Sequence, residues 1–194
     1  SPSRGLGDVY KRQLFDRPAY KNVICHGIVL GSDGQKMSKH LRNYPDVNGV
    51  FNEYGSDAMR WFLMSSPILR GGNLIVTADG IRDTVRQVML PVWSSYYFFT
   101  LYANAANGGK GYDARRLRAD EVAGLCNMDR YLLARTRLLV ERVEKCLNEF
   151  AISDACAAVG DFIDVLTNWY IRGSRDRFWN CLLYTSPSPR DGLL

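Results

Sequence analysis

Three long stretches in the second half of the chain carry apolar residues three and four positions apart. They run over residues 81–97, 132–147 and 155–169. This spacing places the apolar side chains on one face of an α-helix. The pattern therefore predicts three amphipathic helices packed as an antiparallel bundle over residues 80–180, with a bend at Pro91, whose ring disturbs a helix interior.

The first half of the chain has shorter elements. The apolar, β-branched run over residues 22–30 predicts a short buried strand, followed by a turn at Gly31. Two short helices are predicted at 47–54 and 57–65, the first ended by Gly55 and the second capped by Ser56. The sequence also predicts a boundary at the Gly-Gly-Asn segment 71–73 and a loop over the Gly- and Asn-rich residues 104–111.

Composition excludes several classes of protein. With 46% hydrophobic and 23% charged residues the chain is an ordinary globular sequence, and it lacks the ~20 apolar residues in a row that a membrane-spanning helix needs. Five scattered cysteines and two histidines fit neither a disulfide framework nor a structural zinc site. We expect a cytoplasmic protein with no membrane partner. The net charge of +5 permits a polyanionic partner without requiring one.

The two ends of the chain are related through DNA. Residues 181–191, with the last base of the Asn180 codon, can be back-translated into DNA whose reverse complement, read one base out of frame, encodes residues 3–13 in order. An inverted repeat of this kind resembles the transposon-end adapter used in sequencing libraries. Segments of foreign origin are set aside before the fold is considered. We therefore expect residues 1–13 and 181–194 to derive from an adapter and residues 14–180 to be the authentic segment; native loops at both ends are the alternative.

An exposed loop after the predicted strand places two lysines three positions apart. It reads Asp-Gly-Gln-Lys-Met-Ser-Lys, with the cations at Lys36 and Lys39 and a hydroxyl at Ser38. Lysines act as movable point charges on phosphate oxygens, and Gly34 lets the loop close over a ligand. On charge alone, a solvated basic loop is the alternative interpretation.

The segment Lys36-Met37-Ser38-Lys39 resembles the signature loop of class I aminoacyl-tRNA synthetases, with His40 where serine is usual. The surrounding segments are similar to isoleucyl-tRNA synthetases in order and spacing. These segments are Asn-Tyr-Pro-Asp at 43–46, Tyr-Gly-Ser-Asp-Ala at 54–58, Arg-Gly-Gly-Asn-Leu at 70–74, and the Arg- and Trp-rich stretch 168–179. The valine and leucine enzymes share the general plan and remain an alternative.

This resemblance implies a mainly α chain. It would contain the end of a class I α/β catalytic domain, with strand, signature loop and short stem-contact helices, followed by a helical-bundle anticodon-binding domain. It further implies that Lys36 and Lys39 are catalytic. They would neutralise charge on the phosphates of ATP, bound with Mg²⁺, while isoleucine is converted to its adenylate. Met37 and Ser38 would complete the ATP-binding loop, although Met37 is equally interpretable as a core anchor.

The helical part resembles the anticodon-binding domain of this family. Aromatic rings alternate with guanidinium groups near its end, as suits unstacked bases and their phosphates. The residues that the resemblance assigns to tRNA binding are Trp169, Tyr170, Arg172, Arg175, Arg177 and Trp179. Trp169 and Tyr170 also continue the apolar stripe and are interpretable as core. Gly173 stands where an arginine is common in the family.

The resemblance divides the authentic segment at residues 66 and 67. Residues 14–66 would close the catalytic domain and residues 67–180 would form the anticodon-binding domain. The family's adenosine-binding motif, amino-acid pocket and editing domain would lie upstream. We therefore expect the activity of an isoleucine-tRNA ligase in the full-length parent, a monomer that binds isoleucine tRNA, and none in this chain alone, with no zinc in this segment. The alternative is a non-catalytic tRNA-binding helical module.

Overall fold

The computed structural model describes residues 6–112 and 117–178. Helices dominate these residues, as the sequence predicts. The helices are α1 (Leu6–Phe15), α2 (Val47–Tyr54), α3 (Ser56–Ser65), α4 (Ala78–Thr84), α5 (Leu90–Gly109), α6 (Ala119–Ala123), α7 (Asn127–Asn148) and α8 (Ile152–Asp164). Two strands of two residues each, β1 (Val29–Leu30) and β2 (Leu74–Ile75), pair in parallel.

A small core holds the first half of the chain together. Helices α2, α3 and α4 pack around the strand pair, with Ile81 fully buried and Ala58 nearly so. The remaining buried members of this core are Val50, Ile68, Leu74 and Val76. Residues on both sides of the expected division at 66 and 67 thus share one apolar cluster, and residues 67–85 pack with the part of the chain that precedes them.

The predicted helices 47–54 and 57–65 are confirmed. Asp46 caps α2 by accepting a hydrogen bond from the Gly49 amide at 2.9 Å, and Gly55 ends the helix. The prediction that Ser56 caps the next helix is wrong, because α3 begins at Ser56 itself and is preceded directly by Gly55. Two helices therefore meet at a single glycine.

The predicted buried strand over residues 22–30 is largely wrong. Only Val29 and Leu30 pair, and Val23, Ile24 and Ile28 are about half exposed or more. A parallel strand is buried when neighbouring strands and helices cover both of its faces. Here β1 pairs with β2 along one edge, and its other contact of this kind in the described residues is a single bridge from Leu30 to Lys36. The apolar run is present, but the described residues contain few neighbouring strands or helices that could bury it.

The long helix around Pro91 is interrupted where the sequence predicts a bend. Residues Val85–Met89 form a π-helical turn between α4 and α5, and the Leu90 amide bonds the Val85 carbonyl five residues back. The wider turn precedes the proline, which cannot donate a backbone hydrogen bond. The predicted loop at 104–111 is wrong, since α5 continues to Gly109, and Gly109 and Gly111 then adopt positive φ.

The predicted inner face of α5 is also wrong. Trp93, Tyr96 and Tyr97 are more than half exposed, whereas Phe98 and Tyr102 are half-buried. A π turn adds one residue, which rotates every later side chain by about 100° around the helix axis. The apolar stripe that buries Ile81 therefore leaves the core beyond residue 89.

Helices α7 and α8 form the hairpin of the bundle. Three residues connect them, so they run antiparallel and pack along their length. Ala155, Cys156, Ala158 and Ile163 of α8 are buried. A second π-helical turn, Val165–Ile171, follows α8 and contacts α5 and α7.

Candidate functional site

The signature loop folds back against the strand from which it leaves. The Met37 amide donates to the Val29 carbonyl at 3.2 Å, and Leu30 and Lys36 form an antiparallel bridge. The Gly31 amide donates to the Gln35 carbonyl at 2.9 Å and closes the turn between them. These bonds place the loop over β1, which β2 supports from the side.

The outer and inner residues of the loop differ in their exposure. Lys36 and Lys39 are exposed, whereas Met37 and Ser38 are half-buried. Met37 packs against the apolar core beside Val29, which favours its interpretation as the anchor of the loop. The two lysine side chains consequently face solvent, while Met37 packs the loop against the core.

Ser38 is held on both its backbone and its side chain. Its amide donates to Asn43 Oδ1 at 3.1 Å, and its Oγ accepts a hydrogen bond from the Leu41 amide at 3.1 Å. Its carbonyl accepts from the Arg42 amide at 3.1 Å, which closes a tight turn after Lys39. Sequence reasoning noted Asn43 only as the first residue of the Asn-Tyr-Pro-Asp segment and assigned it no role, because the local pattern does not show which groups its side chain contacts.

A second cluster of polar side chains lies at the junction of α7 and the last described helical turn. Asp129 accepts two hydrogen bonds from Arg177, both at 2.8 Å, and a third from the Tyr170 hydroxyl at 2.7 Å. Cys126 Sγ also contacts Asp129 Oδ2, and Arg177 Nη1 contacts the same sulfur, each at 3.2 Å. The two hydrogen bonds from Arg177 to Asp129 form a bidentate pair, which fixes both the distance between the two groups and their orientation.

These contacts shift the ionisation of their members. The hydrogen bonds from Arg177 are the largest cause that lowers the pKa of Asp129, to about 2, against a smaller opposing effect of burial. Burial, followed by the bond to Asp129, raises the pKa of Tyr170 to about 12. The bond to Asp129 also raises the pKa of Arg177. The cluster is therefore a charged pair with a neutral phenol at neutral pH.

The residues assigned to tRNA divide into two groups in the structure. Tyr170 and Arg177 are engaged by Asp129, as described. Trp169, Arg172 and Arg175 are exposed, and Trp169 stacks obliquely on Tyr131 at a ring separation of 4.9 Å. Trp179 lies outside the described residues. The neighbouring Phe178 packs edge-on against Phe98 of α5 at 5.2 Å, so the last turn contacts both α5 and α7.

Two features are absent from residues 6–112 and 117–178. Within these ranges no helix is long and apolar enough to cross a membrane. The same ranges contain no cluster of three or more His, Cys, Asp or Glu side chains suited to a metal ion.

Two regions of the chain match known families. Residues 9–74 match the family of class I tRNA synthetases (I, L, M and V). Residues 129–186 match the anticodon-binding domain of tRNA ligase. The signature loop lies in the first matched region, and Asp129, Tyr170 and Arg177 lie in the second.

Similar proteins are isoleucine-tRNA ligases. That of Bifidobacterium longum (strain NCC 2705) is 90% identical over 167 residues, which are 86% of this chain and 15% of the relative. That of Leifsonia xyli subsp. xyli (strain CTCB07) is 63% identical over 166 residues, 86% of this chain and 14% of the relative. The chain thus spans about 15% of the length of the curated relatives it matches.

A solved structure has the same fold. The agnB2 LeuRS of Agrobacterium radiobacter K84, crystallised as a ternary complex with tRNA and LeuAMS, superposes with a TM-score of 0.66 at 20% identity, over 93% of this chain and 22% of that one. The predicted fold class, mainly α with the end of a class I catalytic domain and an anticodon-binding domain, is confirmed. With its signature loop, its two family matches and 90% identity over 167 residues, the chain is similar to one segment of the isoleucine enzymes of class I.

Proposed function

We propose that this chain is the part of an isoleucine-tRNA ligase that supplies the ATP-phosphate loop and the docking site for the tRNA anticodon. The full enzyme would be a cytoplasmic monomer whose substrates are isoleucine, ATP with Mg²⁺ and isoleucine tRNA. One observation carries the catalytic part of the proposal. Two exposed lysines flank a half-buried pair on a loop bonded to β1, in a chain 90% identical to an isoleucine-tRNA ligase.

The loop suits the first half-reaction. The isoleucine carboxylate attacks the α-phosphate of ATP, the bond to the β-phosphate breaks, and pyrophosphate leaves. Negative charge builds up on the phosphate oxygens during this step, and ammonium groups that reach them mainly in the transition state raise kcat. The loop is anchored through its backbone and through the side chains of Met37 and Ser38. The side chains of Lys36 and Lys39 are exposed and can move toward those oxygens.

We propose a division of labour among the residues assigned to tRNA. Trp169, Arg172 and Arg175 present a ring and two cations to solvent, and they would stack on anticodon bases and pair with phosphates. Tyr170 and Arg177 would hold that surface in place through Asp129. Trp179 stays assigned to tRNA on the sequence alone.

The catalytic proposal is tested in a grafted enzyme. Residues 14–180 of this chain replace the matching segment of the Bifidobacterium longum ligase. Lys36→Ala with Lys39→Ala should lower the rate of isoleucine-dependent ATP–pyrophosphate exchange by at least about a hundredfold. Alanine at Lys110 and Lys145, two lysines far from the loop in sequence, serves as the control and should leave exchange unchanged. Unaltered exchange in the first variant would remove the catalytic assignment.

The docking proposal is tested on the whole 194-residue chain, because residues on both sides of 66 and 67 share one core. The chain should bind isoleucine tRNA more tightly than valine tRNA in modest salt. Arg172→Ala with Arg175→Ala should weaken binding and reduce the slope of log affinity against log salt by about two. Arg137→Ala, on the solvated face of α7 and paired with Glu141, is the control. Equal binding of both tRNAs would leave only a sequence-independent phosphate contribution.

A further inference from the structure

The side chain of Asn43 connects three parts of the signature loop. Its Nδ2 donates to the Asp33 carboxylate at 3.1 and 3.2 Å, ahead of the two lysines. The same nitrogen lies 3.4 Å from the carbonyls of Gln35 and Lys36. Its Oδ1 accepts from the Ser38 amide, between the two lysines, at 3.1 Å. One amide group thus contacts the chain on both sides of Lys36.

The orientation of this amide is determined by its partners. An ionised carboxylate only accepts hydrogen bonds, and a backbone amide only donates them. Asn43 Nδ2 must therefore face Asp33, and Oδ1 must face Ser38. The Asp33 Oδ1 atom also accepts from the Gln35 amide at 3.0 Å, so the carboxylate is itself tied to the loop.

The backbone of Asn43 is seated against the start of the loop. A Cβ atom at Gly31 would lie only 2.2 Å from the Asn43 carbonyl oxygen, so a glycine is needed there. The preceding residue, Arg42, adopts φ of 47°, a conformation that bulky residues rarely take. Three residues after Asn43, Asp46 caps α2. Asn43 consequently joins the loop to the first helix of the core.

We propose that Asn43, with Asp33 as its partner, is the positioning residue of the signature loop and sets where Lys36 and Lys39 stand when ATP is activated. Lys36 and Lys39 are exposed, and the loop backbone between them is fixed to Asn43 at the Ser38 amide. An error of about 1 Å in the placement of a catalytic group can cost a hundredfold in rate. This inference rests on the proposed role of the two lysines.

The test swaps the side chains of Asn43 and Asp33 in the grafted enzyme. Asn43→Asp places a second carboxylate against Asp33 and removes the amide donor. We expect kcat of isoleucine-dependent ATP–pyrophosphate exchange to fall about tenfold or more, with KM for isoleucine little changed, because the lysines act in the transition state. Adding Asp33→Asn restores one donor and one carboxylate in exchanged positions, and it should bring kcat back to within about threefold of the parent.

A matched control and a measure of folding complete the experiment. Asn52→Asp introduces the same charge at an exposed position of α2 and should leave kcat unchanged. Thermal unfolding is measured on all variants, so that a loss of kcat is compared at equal folded fraction. The inference is overturned if Asn43→Asp keeps the parental kcat, or if the double variant is as slow as the single one. If the lysine variant keeps its exchange activity, the proposed function itself fails, and that result is separate.

Discussion

The carboxylate of Asp129 connects two parts of the chain that are far apart in sequence. It sits in the first turn of α7, where the sequence alone predicts no more than a favourable interaction with the helix dipole. In the structure it binds Arg177 and Tyr170, residues 48 and 41 positions away. Asp129 thus holds the segment from Tyr170 to Arg177 against α7, although Asp129 lies outside the Arg- and Trp-rich stretch 168–179.

The lowered pKa of Asp129 predicts a specific acid sensitivity. A carboxyl group whose pKa falls from 3.8 when unfolded to about 2 when folded stabilises the protein above the unfolded value. That contribution is lost as the pH falls through about 2. Its full size is of order 2 kcal/mol, and the partial exposure of Arg177 reduces it to about 1 kcal/mol.

Urea unfolding between pH 5 and pH 2 measures this effect. The free energy of unfolding of the parent chain should fall across this range more steeply than that of Asp129→Asn, which has no carboxyl group to protonate. The control is Asp79→Asn, which removes an exposed carboxylate paired with Arg82 on α4. Parallel pH profiles for the parent and the Asp129 variant would contradict the assignment.

At this scale the sequence predicts candidate residues, and the structure adds their contacts. Lys36 and Lys39 follow from a four-residue motif, and their exposure agrees with it. The pattern around Asn43 shows no hydrogen-bonding role, because it does not fix how the loop folds back on itself. The partners of Asp129 lie 41 and 48 positions away, so no local pattern indicates them. Arg177 belongs to a residue type that often contacts nucleic acid, yet here it pairs with a carboxylate of its own chain. A guanidinium group can form paired hydrogen bonds with a carboxylate as well as with a phosphate.

Among the elements, two π-helical turns decide which side chains reach solvent. The first, at Val85–Met89, turns Trp93 away from the core, and the second, at Val165–Ile171, contains the exposed Trp169. Each adds a residue to a helix and shifts the register of everything that follows. A regular helical period continued through these turns therefore predicts the wrong buried face for α5. It also makes Trp169 interpretable as a core residue.

Gly55 is the element boundary most sensitive to substitution. It joins α2 to α3 at φ 82° and ψ 157°, a combination that is essentially restricted to glycine. Gly55→Ala should lower the free energy of unfolding by about 1–3 kcal/mol. Gly160→Ala inside α8 is the matched control: its added Cβ meets nothing within 4 Å, so the chain should gain about 0.5–1 kcal/mol.

Denaturant unfolding followed by circular dichroism separates these two results. A Gly55 variant as stable as the parent would mean that the junction relaxes into an ordinary loop. The elements on either side were predictable because their caps and apolar spacing are local. The strand at 22–30 was not, because its pairing depends on parts of a sheet that these residues do not contain.

For the molecule as a whole, apolar surface is distributed unevenly. Trp93, Tyr96 and Tyr97 form an exposed aromatic side of α5, with Trp93 and Tyr96 in contact at 6.2 Å. Exposed apolar surface of this extent marks places where other protein is bound or packed. It accords with a chain that spans about 15% of the length of its relatives. The apolar pattern of the sequence therefore extends beyond the core that these residues assemble.

The first helix gives the clearest test of which residues belong to the fold. Val9, Tyr10, Leu14 and Phe15 of α1 are all more than half exposed, although an amphipathic helix that belongs to a domain buries its apolar face. Residues 1–13 are expected to derive from an adapter. The 167 residues aligned with the Bifidobacterium longum ligase equal the length of segment 14–180, whereas the two family matches begin at residue 9 and end at residue 186.

Removing residues 1–13 should therefore shift the midpoint of thermal unfolding by less than about 2 °C, because exposed side chains contribute little to stability. Removing the first strand and its neighbours, residues 1–30, should abolish the cooperative transition, since Val29 and Leu30 hold β2 and the signature loop. Sequencing the source DNA by long reads without transposon tagging checks the same point at the gene. A native reading frame that encodes residues 1–13, together with a large loss of stability on their removal, would make α1 part of the protein.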